Sequence, residues 1–188
     1  MVPQSSKRKF TTREIVIVAI FTAIAAILSF IEIPIMPAAP WLKYDPSGAV
    51  ALICSFIFGP MTGGLVAVLS WIPRLLTNPV GAVMNILASL AFVIPAGLIY
   101  HKNKNMNSAV RGIALGMLCS VIVSIVMNFI ATPLYFGGSP QDVLKMVIPI
   151  LIPFNLLKLA VHSGLTLLVY KPISNIAHKR NFKGAEKQ

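Results

Sequence analysis

Polar side chains recur at helical spacing inside long apolar runs of this sequence. Asn155, Lys158 and His162 are separated by three and four residues, so a helix places them on one face. Lys158 is the one charged residue that falls well inside an apolar run. Because an ammonium group in hydrocarbon is costly without a partner, Lys158 is the first candidate for function. A hydrogen bond between helices is the alternative role for Lys158 and for His162.

Two other apolar runs carry polar residues four positions apart. One run holds Asn85 and Ser89, and the other holds Ser120, Ser124, Asn128 and Thr132. Amides donate and accept hydrogen bonds, whereas Lys only donates. If these residues reach a common depth, they favour a ligand with carbonyl, hydroxyl or imide groups in a pocket otherwise lined by Met, Phe and Leu. Such a ligand is a neutral, partly aromatic small molecule, although polar residues also join neighbouring helices.

The composition excludes a soluble globular domain. The chain has 188 residues, of which 56% are hydrophobic and 11% charged, with a mean hydropathy of +0.81, whereas soluble domains are about a quarter charged. The net charge of +11 comes from basic residues at the ends of apolar runs, which is not the pattern of a nucleic-acid-binding surface. This placement of the basic residues predicts no nucleic-acid partner. Cys54 and Cys119 form no CxxC pair and no cluster with His, so we expect no metal site.

Charge counting decides how many helices cross the lipid bilayer. The doubtful point is Gly59-Pro60, which divides one possible span into two. Six spans place twelve Lys and Arg residues inside and three outside, whereas five spans place six inside and nine outside. The sequence therefore predicts one domain over residues 1–188, an all-α integral membrane bundle with a retained first span, cytoplasmic termini and a long first extracellular loop. The six spans are expected at about 14–32, 47–59, 61–73, 79–100, 108–133 and 149–171.

Several activities lack their motifs. The chain contains no phosphate-binding loop, no His-Glu-x-x-His and no Gly-x-Ser-x-Gly, so we expect no enzyme and no nucleotide hydrolysis by the chain itself. A proton-coupled carrier normally has a carboxylate within the membrane. Here Glu32 and Asp45 fall at or beyond the outer edge, which argues against a stand-alone secondary transporter.

Two further features have open interpretations. The first outer loop, stiffened by proline, could cover a pocket or could anchor the chain at the interface; its residues are Trp41, Leu42, Lys43, Tyr44 and Asp45. In the first span, Ala19, Ala23 and Ala26 leave a smooth face that allows close helix packing, either inside the bundle or against another subunit.

Five segments carry a resemblance to a known family. They are Lys43–Gly48, Phe58–Gly63, Asn78–Asn85, Met127–Tyr135 and Pro153–Lys158. Together they resemble the riboflavin-specific substrate-binding (S) components of bacterial energy-coupling factor (ECF) vitamin transporters. The resemblance extends from about Thr12 to Lys171 and includes the non-apolar residues, where chance similarity between membrane proteins is least common.

The resemblance implies a multi-pass protein of the bacterial cytoplasmic membrane that captures riboflavin from outside. It implies a transmembrane coupling subunit and two cytosolic ATPases as partners. The coupling subunit is expected to dock against Ala19 and Ala23. No catalytic cofactor is expected. We expect Asn128, Asn155 and Lys158 to hold the isoalloxazine ring, with Asn85, Lys43 and Asp45 near the polar tail or the lid. The other expected ligand-binding residues are Trp41, Leu42, Tyr44, Met127, Thr132 and Phe154.

Three alternative functions predict different behaviour. A stand-alone secondary transporter of a small neutral aromatic or polyol metabolite would accumulate solute without an ATPase. A membrane enzyme would convert its ligand, and a scaffold would bind none.

Overall fold

The structure is a computed structural model that describes the backbone of residues 11–185 and the side chains of residues 11–134 and 137–169. The described chain is almost entirely helical. In chain order its elements are α1 (Thr12–Ser29), β1 (Ile33–Pro34), β2 (Lys43–Tyr44), α2 (Ser47–Phe58), α3 (Pro60–Leu69), a 3-10 turn (Ile72–Leu76), α4 (Pro79–Asn103), α5 (Met106–Phe136), α6 (Pro140–Met146), a π turn (Val147–Leu151) and α7 (Ile152–Ala185).

Within the described part of the chain, six helical units form the bundle, since α6, the π turn and α7 follow one another without a break. Four of these units are long and apolar enough to cross a membrane, namely Thr12–Ser29, Pro79–Asn103, Met106–Leu134 and Pro140–Val169. The predicted all-α membrane bundle is therefore confirmed. Part of the charge count that predicted it rests on Lys7, Arg8 and Lys9, which lie outside the described residues.

The chain divides at Gly59, as the charge count required. Gly59 has φ +111, in the region that favours glycine. Pro60 then occupies the first turn of α3, where its missing N–H costs nothing. The resulting helices are short: α2 has 12 residues and α3 has 10, or about 18 Å and 15 Å at 1.5 Å per residue. Their shortness is tolerated because both helices pack inside the bundle.

Small residues bring α2, α3, α4 and α5 close together. A Cβ atom on Gly63 would lie 2.7 Å from the Ala51 carbonyl oxygen, and one on Gly112 would lie 2.5 Å from the Ala96 carbonyl oxygen. Serine hydroxyls reinforce this packing, because Ser120 donates across the α4–α5 interface to the Ala88 carbonyl at 2.9 Å. In a membrane protein, such close contacts replace the hydrophobic effect as the force between helices.

The last span and the first outer loop differ from the prediction. The last span begins at Pro140 rather than near residue 149, because Ser139 and Asp142 form a capping box and Pro140 suits the first helical position. In the first outer loop, β1 pairs antiparallel with β2, with Ile33 opposite Tyr44 and Pro34 opposite Lys43. This short ladder folds the loop back over the end of the bundle that carries Lys43, Arg74 and Lys145, which we call the outer end.

Candidate functional site

A cavity of about 430 Å³ lies at the outer end of the bundle. Its walls come from α4, α5, α7, the 3-10 turn and the loop that holds β1 and β2. The volume lies in the range of small-molecule sites. The lining combines polar residues with an apolar wall made of Trp41, Leu42, Trp71, Val80, Met84, Phe92, Ala131, Phe154 and Leu159.

Lys158 finds its counter-ion in this cavity. Its Nζ donates to Asp45 Oδ2 at 2.9 Å and to Asn85 Oδ1 at 2.6 Å. The two charged side chains are 13% and 4% exposed. Three separate segments meet at this ammonium group: α7 carries Lys158, α4 carries Asn85, and Asp45 lies two residues before the start of α2. The Lys158 ammonium, whose burial the sequence analysis marked as costly, is therefore paired and hydrogen-bonded, which is the condition for keeping a charge inside a protein.

The Asp45 carboxylate is held from several directions. The Ser47 backbone N–H donates to Oδ1 at 3.2 Å, and the Ser47 hydroxyl donates to the same oxygen. Trp71 Nε1 in turn donates to the Ser47 hydroxyl at 3.2 Å. Burial alone would raise the pKa of Asp45, but Lys158, His162 and the Ser47 hydroxyl stabilise the carboxylate and hold this pKa below its usual value. The group is thus an anion at neutral pH.

Three asparagines share one local geometry. In each, Nδ2 donates to the carbonyl four residues earlier on the same helix: Asn85 to Gly81 at 3.0 Å, Asn128 to Ser124 at 2.8 Å and Asn155 to Leu151 at 2.8 Å. A carbonyl can only accept, so this bond fixes which end of the amide faces away from the backbone. The amide oxygen is the end left for other donors, and all three residues line the cavity.

An ion-pair cluster closes the rim of the cavity. Glu32 accepts from Lys43 Nζ at 2.6 Å and also pairs with the Arg74 guanidinium. The Arg74 guanidinium lies over the rings of Phe30 at 5.2 Å and Trp71 at 5.6 Å. Because Glu32 and Lys43 belong to the first loop and Arg74 to the 3-10 turn, the cluster ties the loop to the bundle.

Comparison with known proteins identifies the family. The family described as ECF transporter, substrate-specific component, matches residues 13–170. This chain belongs to that family. As a substrate-specific component it is a non-enzymatic transport protein of the bacterial membrane and works with an energy-coupling module.

Individual proteins agree with this assignment. The chain is 29% identical over 172 residues to a riboflavin transporter of Staphylococcus aureus, covering 87% of this chain and 91% of the relative. It is 30% identical over 181 residues to a riboflavin transporter of Streptococcus thermophilus, covering 89% and 86%. A solved structure, reported as the S component of a bacterial ECF transporter, matches with a TM-score of 0.76 and 28% identity, covering 88% of this chain and 97% of that one.

Ten of the twelve ligand-binding residues expected in this S component line the cavity. They are Trp41, Leu42, Lys43, Asp45, Asn85, Asn128, Thr132, Phe154, Asn155 and Lys158. Tyr44 and Met127 do not. Alternation along β2 turns Tyr44 inward, where it is 7% exposed and lies 5.3 Å from the His162 ring. Burial and the neighbouring Asp45 raise the pKa of Tyr44 to about 12, so this phenol stays neutral.

The cavity also contains residues that the sequence did not single out as ligand-binding. Trp71, Arg74 and Glu32 line it from segments interpreted only as loop or helix end. No periodic pattern marks them, so sequence alone offers little signal. The position of His162 in the cavity could be predicted from sequence, because helical spacing places it on the same face as Asn155 and Lys158. Among the described residues, no three His, Cys, Asp or Glu side chains come close enough together to hold a metal ion.

The face of α1 expected to dock another subunit points away from the rest of this S component. Ala19 and Ala23 are exposed, whereas Val18, Ala25 and Ser29 face inward and are buried. Ile24, about 100° around the helix from Ala23, is also exposed, at 46%. The two alanines thus form a smooth strip within a wide apolar surface.

Replacing Asp45 by Asn tests whether the ion pair is structural. The substitution removes the counter-ion of Lys158, and breaking one side of a buried pair costs about 3–5 kcal/mol. We expect a clearly lower thermal unfolding midpoint in detergent. The double variant Asp45→Asn/Lys158→Met, which removes both charges, should recover much of the loss.

The matched control is Asp142→Asn, because Asp142 is exposed, its distance to Lys145 Nζ is 3.9 Å, and an asparagine oxygen can still accept the capping hydrogen bonds from Ser139. This control should change the unfolding midpoint much less than Asp45→Asn does, because solvent screens an exposed pair. A double variant no more stable than Asp45→Asn would contradict the role of the pair.

Proposed function

We propose that this S component captures riboflavin from the extracellular side, and that a transmembrane coupling subunit and two cytosolic ATPases drive its delivery into the cell. The observation that carries the proposal is that one cavity brings Lys158 and three asparagine side chains from three helices together with aromatic and aliphatic side chains. Riboflavin joins a flat, neutral ring system with a polar carbonyl and imide edge to a polyhydroxyl tail. Both parts suit such a cavity.

The polar cluster supports a specific assignment of the ring edge. Lys158 is a donor, and the free amide oxygens of Asn128 and Asn155 are acceptors, so together they complement the ring carbonyls and the imide N–H. Asp45 and Asn85 contact Lys158 directly. In this proposal they therefore orient the ammonium at the ring rather than standing apart at the tail or the lid. Lys43 remains at the rim, where the tail is expected.

The ion pairs of the site support a neutral ligand. Lys158 pairs with Asp45, and Lys43 and Arg74 both pair with Glu32, so each of these charged groups already has a partner although the rim keeps one net positive charge. A strongly charged ligand would have to disrupt one of these pairs. The apolar wall, in contrast, favours a large ring, because each aromatic surface that leaves water contributes to affinity.

A stand-alone secondary transporter of a small aromatic or polyol metabolite is the alternative. It would accumulate solute in vesicles that lack any ATPase partner, in response to an ion gradient. Membership of a family of substrate-specific components favours dependence on an energy-coupling module. Flavin binding without transport by the isolated protein supports the proposal over this alternative.

The direct test of the ligand is a fluorescence titration. The purified protein should quench riboflavin emission in a saturable way. Lys158→Met should weaken the affinity by about tenfold to a hundredfold, because it removes a charged donor from the ring edge and leaves Asp45 unpaired. Lys145→Met is the matched control, since the Lys145 side chain is 81% exposed on α6, and its affinity should be unchanged. Unquenched emission from the folded wild-type protein would refute the proposed ligand.

Docking can be tested separately from binding. Ala19→Trp or Ala23→Trp places an indole on the smooth strip of α1 and should abolish uptake in cells that carry the complete transporter. Riboflavin affinity of the purified variants should remain normal, because the strip lies outside the cavity. Ile24→Trp, on a different exposed side of α1, serves as the control and should keep uptake. Normal uptake by both alanine variants would remove the docking role.

A further inference from the structure

We infer that His162 is a positioning residue of the ligand site, which holds Asp45 in place for Lys158 through a hydrogen bond to the Asp45 backbone. His162 lies on α7 one turn after Lys158 and is 2% exposed. Its Nε2 is 2.8 Å from the Asp45 carbonyl oxygen. That oxygen can only accept, so Nε2–H is the donor.

Residue 45 is therefore held twice by the same helix. Lys158 Nζ binds the carboxylate at 2.9 Å, and His162 Nε2 binds the backbone carbonyl at 2.8 Å. One bond fixes the side chain and the other fixes the chain from which the side chain projects. Without the second bond, the backbone at the start of α2 can shift, and the carboxylate loses its alignment with the ammonium.

The surroundings of the imidazole leave little room for another orientation. A Cβ atom on Gly48 would lie 2.5 Å from His162 Cε1 and 2.7 Å from Nδ1, so any larger residue there would have to displace the imidazole. The Tyr44 ring lies 5.3 Å from the imidazole and the Phe92 ring 6.5 Å away, measured between centroids. This fit explains why Tyr44 turns inward: it packs against the residue that positions Asp45.

The inference extends the proposed function by assigning a role to a residue that need not touch the vitamin. His162→Leu removes the donor and should weaken riboflavin affinity by about tenfold, the scale of one buried hydrogen bond. His162→Gln can place an amide N–H near the position of Nε2 and should restore affinity to within about threefold of wild type. If His162 only filled space, the riboflavin affinities of the Leu and Gln variants would not fall in this order.

The chain supplies a matched control in His101. Its Nε2 also lies 3.0 Å from a backbone carbonyl, that of Ser55, but at the opposite end of the bundle. His101→Leu removes the same kind of bond and should leave riboflavin affinity unchanged. Equal losses in His101→Leu and His162→Leu would overturn the inference, because both would then reflect general destabilisation.

A double-variant comparison separates positioning from direct contact with the ligand. If His162 acts through Asp45 and Lys158, adding His162→Leu to Lys158→Met should reduce affinity by less than about threefold further. Fully multiplicative losses would show that His162 acts independently of Lys158 and would overturn the inference. Gly48→Ala perturbs the imidazole from the other side and should give a loss in the same direction, which provides a second variant if His162→Leu does not fold.

Thermal unfolding of the ligand-free protein tests the role of His162 without relying on riboflavin as the ligand. The drop in thermal unfolding midpoint caused by Asp45→Asn should be smaller in the His162→Leu background than in wild type, since the ion pair is already misaligned there. Equal drops in the two backgrounds would overturn the positioning role. If wild type does not bind riboflavin but the drops differ, the ligand assignment fails and the positioning role stands.

Discussion

A buried ammonium group requires a partner, and this requirement organises the outer half of the protein. Lys158 lies inside the membrane bundle, where an unpaired charge is prohibitively costly. Its partner Asp45 comes from a loop 113 residues away in the chain. The pair therefore joins the last span to the segment that enters α2, and Asn85 adds α4 to the same point. The cavity exists where these three segments converge.

Much of this arrangement could be predicted from sequence because the membrane makes polar residues conspicuous. Lys158, Asn128 and Asn155 stand out in apolar helices, and helical periodicity gives their faces. The division at Gly59 followed from counting charges on each side of the membrane, and the positive φ of this residue gives its physical basis. These inferences depend on local spacing and on lipid as the solvent.

Other features depend on contacts between distant segments, which a single sequence does not encode. The inward turn of Tyr44 depends on the short ladder with β1 and on space against His162. Arg74 was counted only as an outer charge, although it is 8% exposed and shared between Glu32 and two aromatic rings. The earlier start of the last span depends on a capping box that short polar segments can also form in loops.

The proposed ligand site and the proposed docking face occupy different parts of this substrate-specific component. The polar groups that line the cavity lie at the outer end of the bundle, whereas Ala19 and Ala23 lie on the exposed, mainly apolar side of α1. Under the proposed function, binding and docking can therefore be tested by separate single substitutions.

The most direct measurement of the central claim is the distance between Lys158 Nζ and the Asp45 carboxyl carbon in lipid bilayers. Solid-state dipolar recoupling between ¹⁵N-labelled lysine and ¹³C-labelled aspartate reports it, with the Lys158 signal assigned by its loss in Lys158→Arg. We expect a coupling that corresponds to a separation below about 4 Å, the range of an ion pair. Absence of this coupling in the folded protein would contradict the account, since the ion pair would then not join the three segments around the cavity.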